Sequence, residues 1–246
     1  MPDVPSPRVS LVVPVYNEEE CLPGLMAELA AALSGAAGLE GRYEIVLVDD
    51  GSTDGTAALM DRLAAADARV RVVRFRKNAG QTAAFDAGFK AARGDAVVTL
   101  DADGQNDPAD ISRLLSLLEQ ADAVCGIRAN RRDSWVRRLS SRIGNSVRNW
   151  ATGEDIVDTG CSLKAFRRQI LGKFQLYTGM HRFLPTLVRL AGGTVLQTPV
   201  HHRPRQAGTA KYGVGNRMFR TVADLLAVVW MKRRWLRYEI VEETKR

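Results

Sequence analysis

The chain has 246 residues, 46% hydrophobic and 26% charged, enough apolar content for a sizeable core and too much for an intrinsically disordered chain. Its 35 Lys and Arg outnumber 28 Asp and Glu for a formal charge of +7, which favours anionic partners without choosing among nucleotides, nucleic acid and acidic lipid headgroups. Cys21, Cys125 and Cys161 are odd in number and far apart, the N-terminus lacks a leader pattern, and no charge-free apolar run reaches the ~20 residues of a membrane span; a disulfide framework, a paired-cysteine zinc site and a spanning helix are all disfavoured, and cytosolic folding is expected.

Val9 to Val13 is a short apolar run, followed by Leu22, Leu25, Met26, Leu29 and Leu33 at helical spacing; this reads as a strand and then a helix. The alternation repeats with Tyr43 to Val48 before a helix from about Thr56, and with Val70 to Phe75 before a helix from about Gln81. Ala96 to Leu100 precedes a helical stripe of Ile111, Leu114, Leu115 and Leu118, and Ala121 to Gly126 reads as a fifth strand. Apolar strands separated by single helices predict a mostly parallel α/β sheet that takes ligands at the carboxyl ends of its strands. Further on, a basic helix is predicted from about Ser134 to Trp150, partly helical stretches over Ile170 to Leu176 and Arg182 to Leu190, and a strand over Thr194 to Val200. A polar segment, Arg203 to Gly215, leads to a last amphipathic helix, Met218 to Trp230, with Val222, Leu225, Leu226, Val229 and Trp230 expected on one face.

The loops after the strands carry the chemistry. Pro14-Val-Tyr-Asn-Glu18 follows the first strand and Asp49-Asp-Gly-Ser-Thr-Asp-Gly-Thr56 the second; carboxylates there can accept hydrogen bonds from a base or ribose. Helix capping is the competing role for Ser52, Thr53 and Asp54. No GxGxxG or GxxxxGK[ST] element occurs, which removes the main support for a dinucleotide-binding dehydrogenase or a P-loop NTPase. Asp101-Ala-Asp103-Gly-Gln105 follows the fourth strand. Its oxygen donors suit Mg²⁺ or Mn²⁺, cations that leave positions open for phosphate oxygens.

These pieces, Val-Pro-Val-Tyr-Asn-Glu18, Val-Asp-Asp-Gly-Ser-Thr-Asp-Gly-Thr56, Asn78-Ala-Gly80 with Gly88 and Gly94-Asp95, and Asp101-Ala-Asp-Gly-Gln105, follow one another as they do in inverting GT-A-fold glycosyltransferases (glycosyltransferase family 2). The resemblance runs from about Val9 to Tyr212. Asp158-Thr-Gly160 and Arg205-Gln-Ala-Gly208-Thr-Ala-Lys211-Tyr212 resemble the dolichol-phosphate mannosyltransferase and bacterial polyprenyl-phosphate glycosyltransferase branch. The resemblance implies a GT-A fold, with Pro14, Tyr16, Glu18, Asp49, Asp50, Asp101, Ala102 and Asp103 around a nucleotide sugar such as GDP-mannose or a UDP-hexose. It implies metal ligation by Asp103 and Gln105, and catalytic roles for Asp101, Asp103 and Arg128. It places Arg128, Arg137, Ser141, Asn145, Arg205 and Lys211 at the phosphate of a polyprenyl acceptor. The chain then reads as one domain, 1–246, with a donor half (1–127), an acceptor half (128–213) and a C-terminal amphipathic segment (214–246). Gly104 stands where a leucine is common in this branch, and the C-terminal transmembrane helices of many bacterial relatives are absent.

A phosphate acceptor fits the local charge. Arg128, Arg131, Arg132, Arg137, Arg138, Arg142 and Arg148 are opposed only by Asp133, while Trp135, Leu139, Ile143, Val147 and Trp150 give the same helix an apolar face. Such a helix suits an anionic membrane boundary, although a core-facing helix with a solvated arginine face has the same pattern. A phosphomonoester is already anionic at neutral pH and needs no general base, so Asp101 is expected to orient or assist electrostatically. The last helix and Lys232-Arg-Arg-Trp235 predict either a peripheral anchor at the inner face of the cell membrane or a homo-oligomer contact. His181, His201 and His202 are expected to be structural or to belong to the acceptor loop. A hydroxyl acceptor on the same fold would need a carboxylate base, for which Glu154 or Asp155 is the best placed. A non-enzymatic nucleic-acid or membrane-binding protein would explain the charge and leave the ordered acidic loops without a purpose, so a nucleic-acid partner is not expected.

Overall fold

The computed structural model describes residues 6–36, 39, 41–129, 146, 148–204 and 215–236, with the side chains of 215–221 excepted. The expected alternation appears as β1 (Val9–Val15), α1 (Leu22–Ser34), β2 (Tyr43–Asp49), α2 (Thr56–Ala66), β3 (Val70–Arg74), α3 (Gln81–Ala91), β4 (Ala96–Thr99), α4 (Ile111–Leu117) and β5 (Ala123–Arg128). Then follow β6 (Lys164–Arg167), α5 (Arg168–Leu171), a 3₁₀ turn (Met180–Phe183), α6 (Leu184–Leu190), β7 (Val195–Val200) and α7 (Gly215–Arg234). One seven-stranded sheet has the order β3-β2-β1-β4-β6-β5-β7, and only β6 runs against the others.

Strands buried on both faces explain the continuous apolar runs. Val9, Leu11, Val13 and Val15 face a core built by Leu22, Leu25, Leu29 and Leu33 of α1, Met60 of α2 and Ile111 and Leu114 of α4. The alternate residue Val12 joins Val46, Val48, Val97 and Phe166 against Ala84 and Phe85 of α3 and Leu184 and Val188 of α6. The helix α3 lies so close to the sheet that a Cβ on Gly88 would come within 2.2 Å of Val12 Cγ1. Strand β1 pairs with β2 on one side and β4 on the other, so the chain reverses direction across the sheet between them. The carboxyl ends of β1 and β4 therefore flank the crevice where an open α/β sheet binds its ligand.

Three expectations need correction. Strand β6 was not predicted: its run Lys164-Ala-Phe-Arg167 is four residues long and opens on a lysine, so neither length nor pattern marks it as a strand. The last helix is longer than predicted and its apolar residues do not share a face. Leu225, Val228 and Met231 pack on Met180, Phe183 and Leu187, whereas Val222, Leu226 and Trp230 point outward. Arg148, assigned to a basic surface, is buried, with its guanidinium on the Ile156 carbonyl and the Asn149 amide oxygen. Most of the predicted basic helix, with Arg137, Ser141 and Asn145, and the segment carrying Arg205 and Lys211 lie outside the described residues.

Candidate active site

Two loops at the carboxyl ends of β1 and β2 are laced together. Asn17, at φ 52°, donates its backbone N–H to Ser52 Oγ at 3.0 Å and accepts the Thr53 N–H on Oδ1 at 2.7 Å. The Glu18 N–H reaches Thr56 Oγ1 at 2.9 Å, and the Glu19 carboxylate accepts the Gly55 N–H at the start of α2. Asp54 caps α2 locally, accepting the Thr56 N–H on Oδ1 at 3.0 Å, whereas Ser52 and Thr53 tie the β1 and β2 loops together. Pro14, Tyr16 and Glu18 stand on this laced corner, with Glu18 buried.

Asp49 and Asp50 are both buried. Asp49 Oδ1 accepts the Ser52 N–H at 2.9 Å and Oδ2 accepts Arg74 Nε at 3.1 Å. Asp50 accepts the backbone N–H groups of Ala79 and Gly80 and the Asn78 amide. Burial pushes the Asp50 carboxyl above its ordinary range, the Ala79 and Gly80 donors pull it back, and the adjacent Asp49 charge adds to the rise. Gly51 sits at φ +72°, and a Cβ there would fall 2.5 Å from the Lys77 carbonyl carbon; only glycine lets the β2 loop press on the β3 loop. The acidic pair frames three loops at once.

Asp101, Ala102, Asp103 and Gln105 form the turn beyond β4, with Ala102 buried and the others partly exposed. Gln81 Nε2, in the first turn of α3, donates to Asp101 Oδ1 at 2.7 Å. Burial and the facing Asp103 carboxylate push the Asp101 carboxyl up to about 6, against the pull of the Ser162 hydroxyl and the Lys164 and Arg128 cations. The turn is braced from behind: Ser162 Oγ bonds Asn106 at 2.7 Å, the Arg203 N–H donates to the Gln105 carbonyl at 2.9 Å, and Arg203 clasps Glu28 of α1 and Asp107. On the other side of β4, Arg128 grips Asp158 with Nε to Oδ2 at 2.8 Å and Nη2 to Oδ1 at 2.9 Å. The fork geometry fixes the guanidinium in one plane. Thus Asp101, Asp103 and Gln105 share the turn beyond β4, and the Arg128 charge at the end of β5 acts on Asp101.

The donor set fits a divalent cation shared with a ligand. Asp103 and Gln105 offer a carboxylate and an amide oxygen, and the charge crowding between Asp101 and Asp103 is of the kind a cation relieves. Among the described residues no group of three or more His, Cys, Asp or Glu is placed to hold a cation by itself, so a cation at Asp103 and Gln105 would need a ligand's oxygens to complete its coordination. Gln81, Ser162 and Lys164 escaped the sequence reading: Gln81 reads only as a helix start, Ser162 and Lys164 lie in a stretch with no marked pattern, and only the fold carries them to Asp101. His181 Nδ1 lies 2.6 Å from Thr82 Oγ1, and Thr82 adjoins Gln81, so this histidine buttresses the start of α3. Glu154 and Asp155, the alternative bases, are engaged by Thr186 at 2.7 Å and Arg189 at 2.6 Å.

Comparison with known proteins bears on the family and the fold. The chain is 39% identical over 236 residues to a dodecaprenyl-phosphate galacturonate synthase of Rhizobium johnstonii, covering 94% of this chain and 69% of that one. It is 41% identical over 209 residues to an undecaprenyl-phosphate 4-deoxy-4-formamido-L-arabinose transferase of Sodalis glossinidius, covering 84% and 63%. The chain thus spans about two thirds of the length of these curated relatives. Among solved structures, a mannosyltransferase of Pyrobaculum calidifontis in complex with GDP-Man and Mn²⁺ superposes with a TM-score of 0.64 at 21% identity, covering 93% of this chain and 64% of that one. A glucosyl-3-phosphoglycerate synthase of Mycobacterium tuberculosis in complex with Mn²⁺ and UDP-glucose gives 0.65 at 19% identity, covering 92% and 79%. The expected GT-A fold is therefore present, and with the model described as "Glycosyl transferase family 2" matching residues 10–174, the chain belongs to that family.

Proposed function

We propose that this chain transfers a sugar, with inversion, from a nucleotide diphosphate donor to a polyprenyl phosphate. The observation that carries the reading is the acidic turn Asp101-Ala-Asp103 set at the crevice of the sheet beside the fixed Arg128 guanidinium. One side of that arrangement suits a cation-bound diphosphate and the other an acceptor phosphate. The two relatives named for dodecaprenyl and undecaprenyl phosphate support the acceptor class. The neighbours solved with Mn²⁺ support a divalent cation, held here by Asp103 and Gln105, which when bound would neutralise the leaving diphosphate.

In the reaction an acceptor phosphate oxygen attacks the anomeric carbon of the donor sugar from the face opposite the leaving nucleotide diphosphate. The bond to the nucleotide diphosphate breaks, its electron pair leaves with the diphosphate, and the configuration inverts. The attacking oxygen is already ionised, so no side chain need accept a proton. Asp101, oriented by Gln81, sits where it can align the sugar; Arg128, held flat by Asp158, orients the acceptor phosphate. Among the described residues no helix is long and apolar enough to cross a membrane. The outward apolar and basic residues of α7 are the surface we propose for contact with a lipid acceptor at the inner face of the membrane.

The direct test incubates the protein with undecaprenyl phosphate, Mg²⁺ or Mn²⁺, and a panel of GDP-mannose, UDP-glucose and UDP-uronic acids, with mass spectrometry of the lipid. A mass gain of one sugar residue on the phospholipid is expected with at least one donor. Transfer to a hydroxyl acceptor, with polyprenyl phosphate untouched across the panel, would refute the reading.

A further inference from the structure

Lys164 is 3% exposed at the start of β6. The antiparallel register sets it directly opposite Thr99, two residues before Asp101, and the Thr99 hydroxyl bonds the backbone of this strand at the Ser162 carbonyl at 2.7 Å. Its Nζ donates to the Cys161 carbonyl, and among the described residues no carboxylate is within ion-pair distance of it. An ammonium buried against a carbonyl alone is unfavourable, and an apolar side chain of similar size would be better tolerated there. What offsets the burial is the negative potential of Asp101, on which the Lys164 charge acts.

The same charge opposes any cation at the turn. With Arg128 neutralised by Asp158, two carboxylates with a lysine behind them leave one net negative charge for a divalent ion, a weak resting site. A nucleotide diphosphate brings further negative charge, which attracts the cation and the ammonium together. Resting on the cation reading above, we infer that Lys164 is a positioning residue whose built-in charge keeps the acidic turn's affinity for a free divalent cation low, so that cation and nucleotide diphosphate bind as a pair.

The test titrates Mn²⁺ into the full chain by electron paramagnetic resonance, alone and then in saturating UDP and, in parallel, GDP. Lys164→Met and Lys164→Gln should bind Mn²⁺ alone about tenfold tighter than the native chain, since one repelling charge is gone from a partly screened site. The enhancement of Mn²⁺ binding by the nucleotide should shrink by at least that factor, and Lys164→Arg should behave as the native chain. A merely structural lysine predicts equal or weaker Mn²⁺ binding in the neutral variants, and that result, from variants with a native circular dichroism spectrum, overturns the inference. The glutamine variant keeps a donor for the Cys161 carbonyl and decides the matter if the methionine variant unfolds. Failure of the native chain to take up Mn²⁺ even with nucleotide would instead refute the cation reading itself, and this inference with it.

Discussion

Asp103 and Arg128 illustrate two ways in which a charged residue is prepared for work. Asp103 lies in a turn, accepting the Gln105 N–H at 3.2 Å, and its proposed partner is a cation. Asp103→Asn should lower turnover by about 100-fold or more, the scale of losing one electrostatic stabiliser, with circular dichroism unchanged; near-native turnover would remove the residue from the metal site. Arg128 depends on Asp158, which is 6% exposed and takes both ends of the fork. Asp158→Asn keeps the shape and loosens the guanidinium, so the KM for polyprenyl phosphate should rise about tenfold, with the donor KM little changed. Equal changes in both would mean that the pair supports the fold rather than the acceptor. At this scale the acidic turn stood out through its place after the fourth strand and its order among the other loop motifs, since two carboxylates behind an apolar run are by themselves a weak signal. It could not expose Gln81 or Ser162, whose side chains matter only through contacts spanning 20 and 56 residues.

At the scale of elements, the strand and helix alternation of the first half was readable because β1, β2 and most of β4 are buried along their length, the edge strand β3 keeps apolar residues although only Val70 is fully buried, and the helices between them carry their own stripes. Strand β6 was not, since its partners β4 and β5 provide the burial that its short run does not advertise. The predicted single apolar face of α7 failed for a related reason: a helix apolar on two sides satisfies the periodicity while one side packs on Met180 and Phe183 and the other does not. The opposite end of the sheet from the crevice is tied by a buried carboxylate. Glu44 of β2 accepts Ser10 Oγ, Arg71 Nη1 and the Arg93 N–H, each at 2.7 Å, joining β1, β3 and the segment after α3. Burial raises this carboxyl, but the bonds from Ser10, Arg71 and Arg93 outweigh it and hold it below the ordinary value of 4.5. A depressed carboxyl stabilises the fold above its unfolded pKa, and that contribution is lost as pH falls through the folded value. Thermal melts of the native chain should therefore fall more steeply below about pH 4.5 than those of Glu44→Gln, and at neutral pH Glu44→Ala should cost about 3 kcal/mol. Parallel acid limbs would show that Glu44 does not carry this dependence.

At the scale of the whole molecule, the proposed function would bring chemistry and lipid to one surface. Val222, Leu226 and Trp230 follow one another at intervals of four on the outer side of α7 and are 52%, 64% and 63% exposed, with Arg233 and Arg234 exposed at its end. Lys232, on the inner side, reaches the Thr152 carbonyl, which brings the helical turn at 148–152 beside this end of α7; Trp150 there is 86% exposed. Asp224 turns inward toward Gly179, so no carboxylate interrupts the apolar row between Val222 and Trp230. Burying these side chains in a headgroup region, with about 1 kcal/mol from each basic residue near an anionic surface, is enough for reversible binding. Leu226→Ser with Trp230→Ser should reduce co-sedimentation with phosphatidylglycerol vesicles at least tenfold and lower turnover on vesicle-borne polyprenyl phosphate. Turnover on a detergent-solubilised acceptor should stay near the native rate, because neither side chain reaches the crevice. If the double variant instead halves the molecular mass measured by light scattering while vesicle binding persists, the face joins two copies of this chain and the membrane is reached from elsewhere.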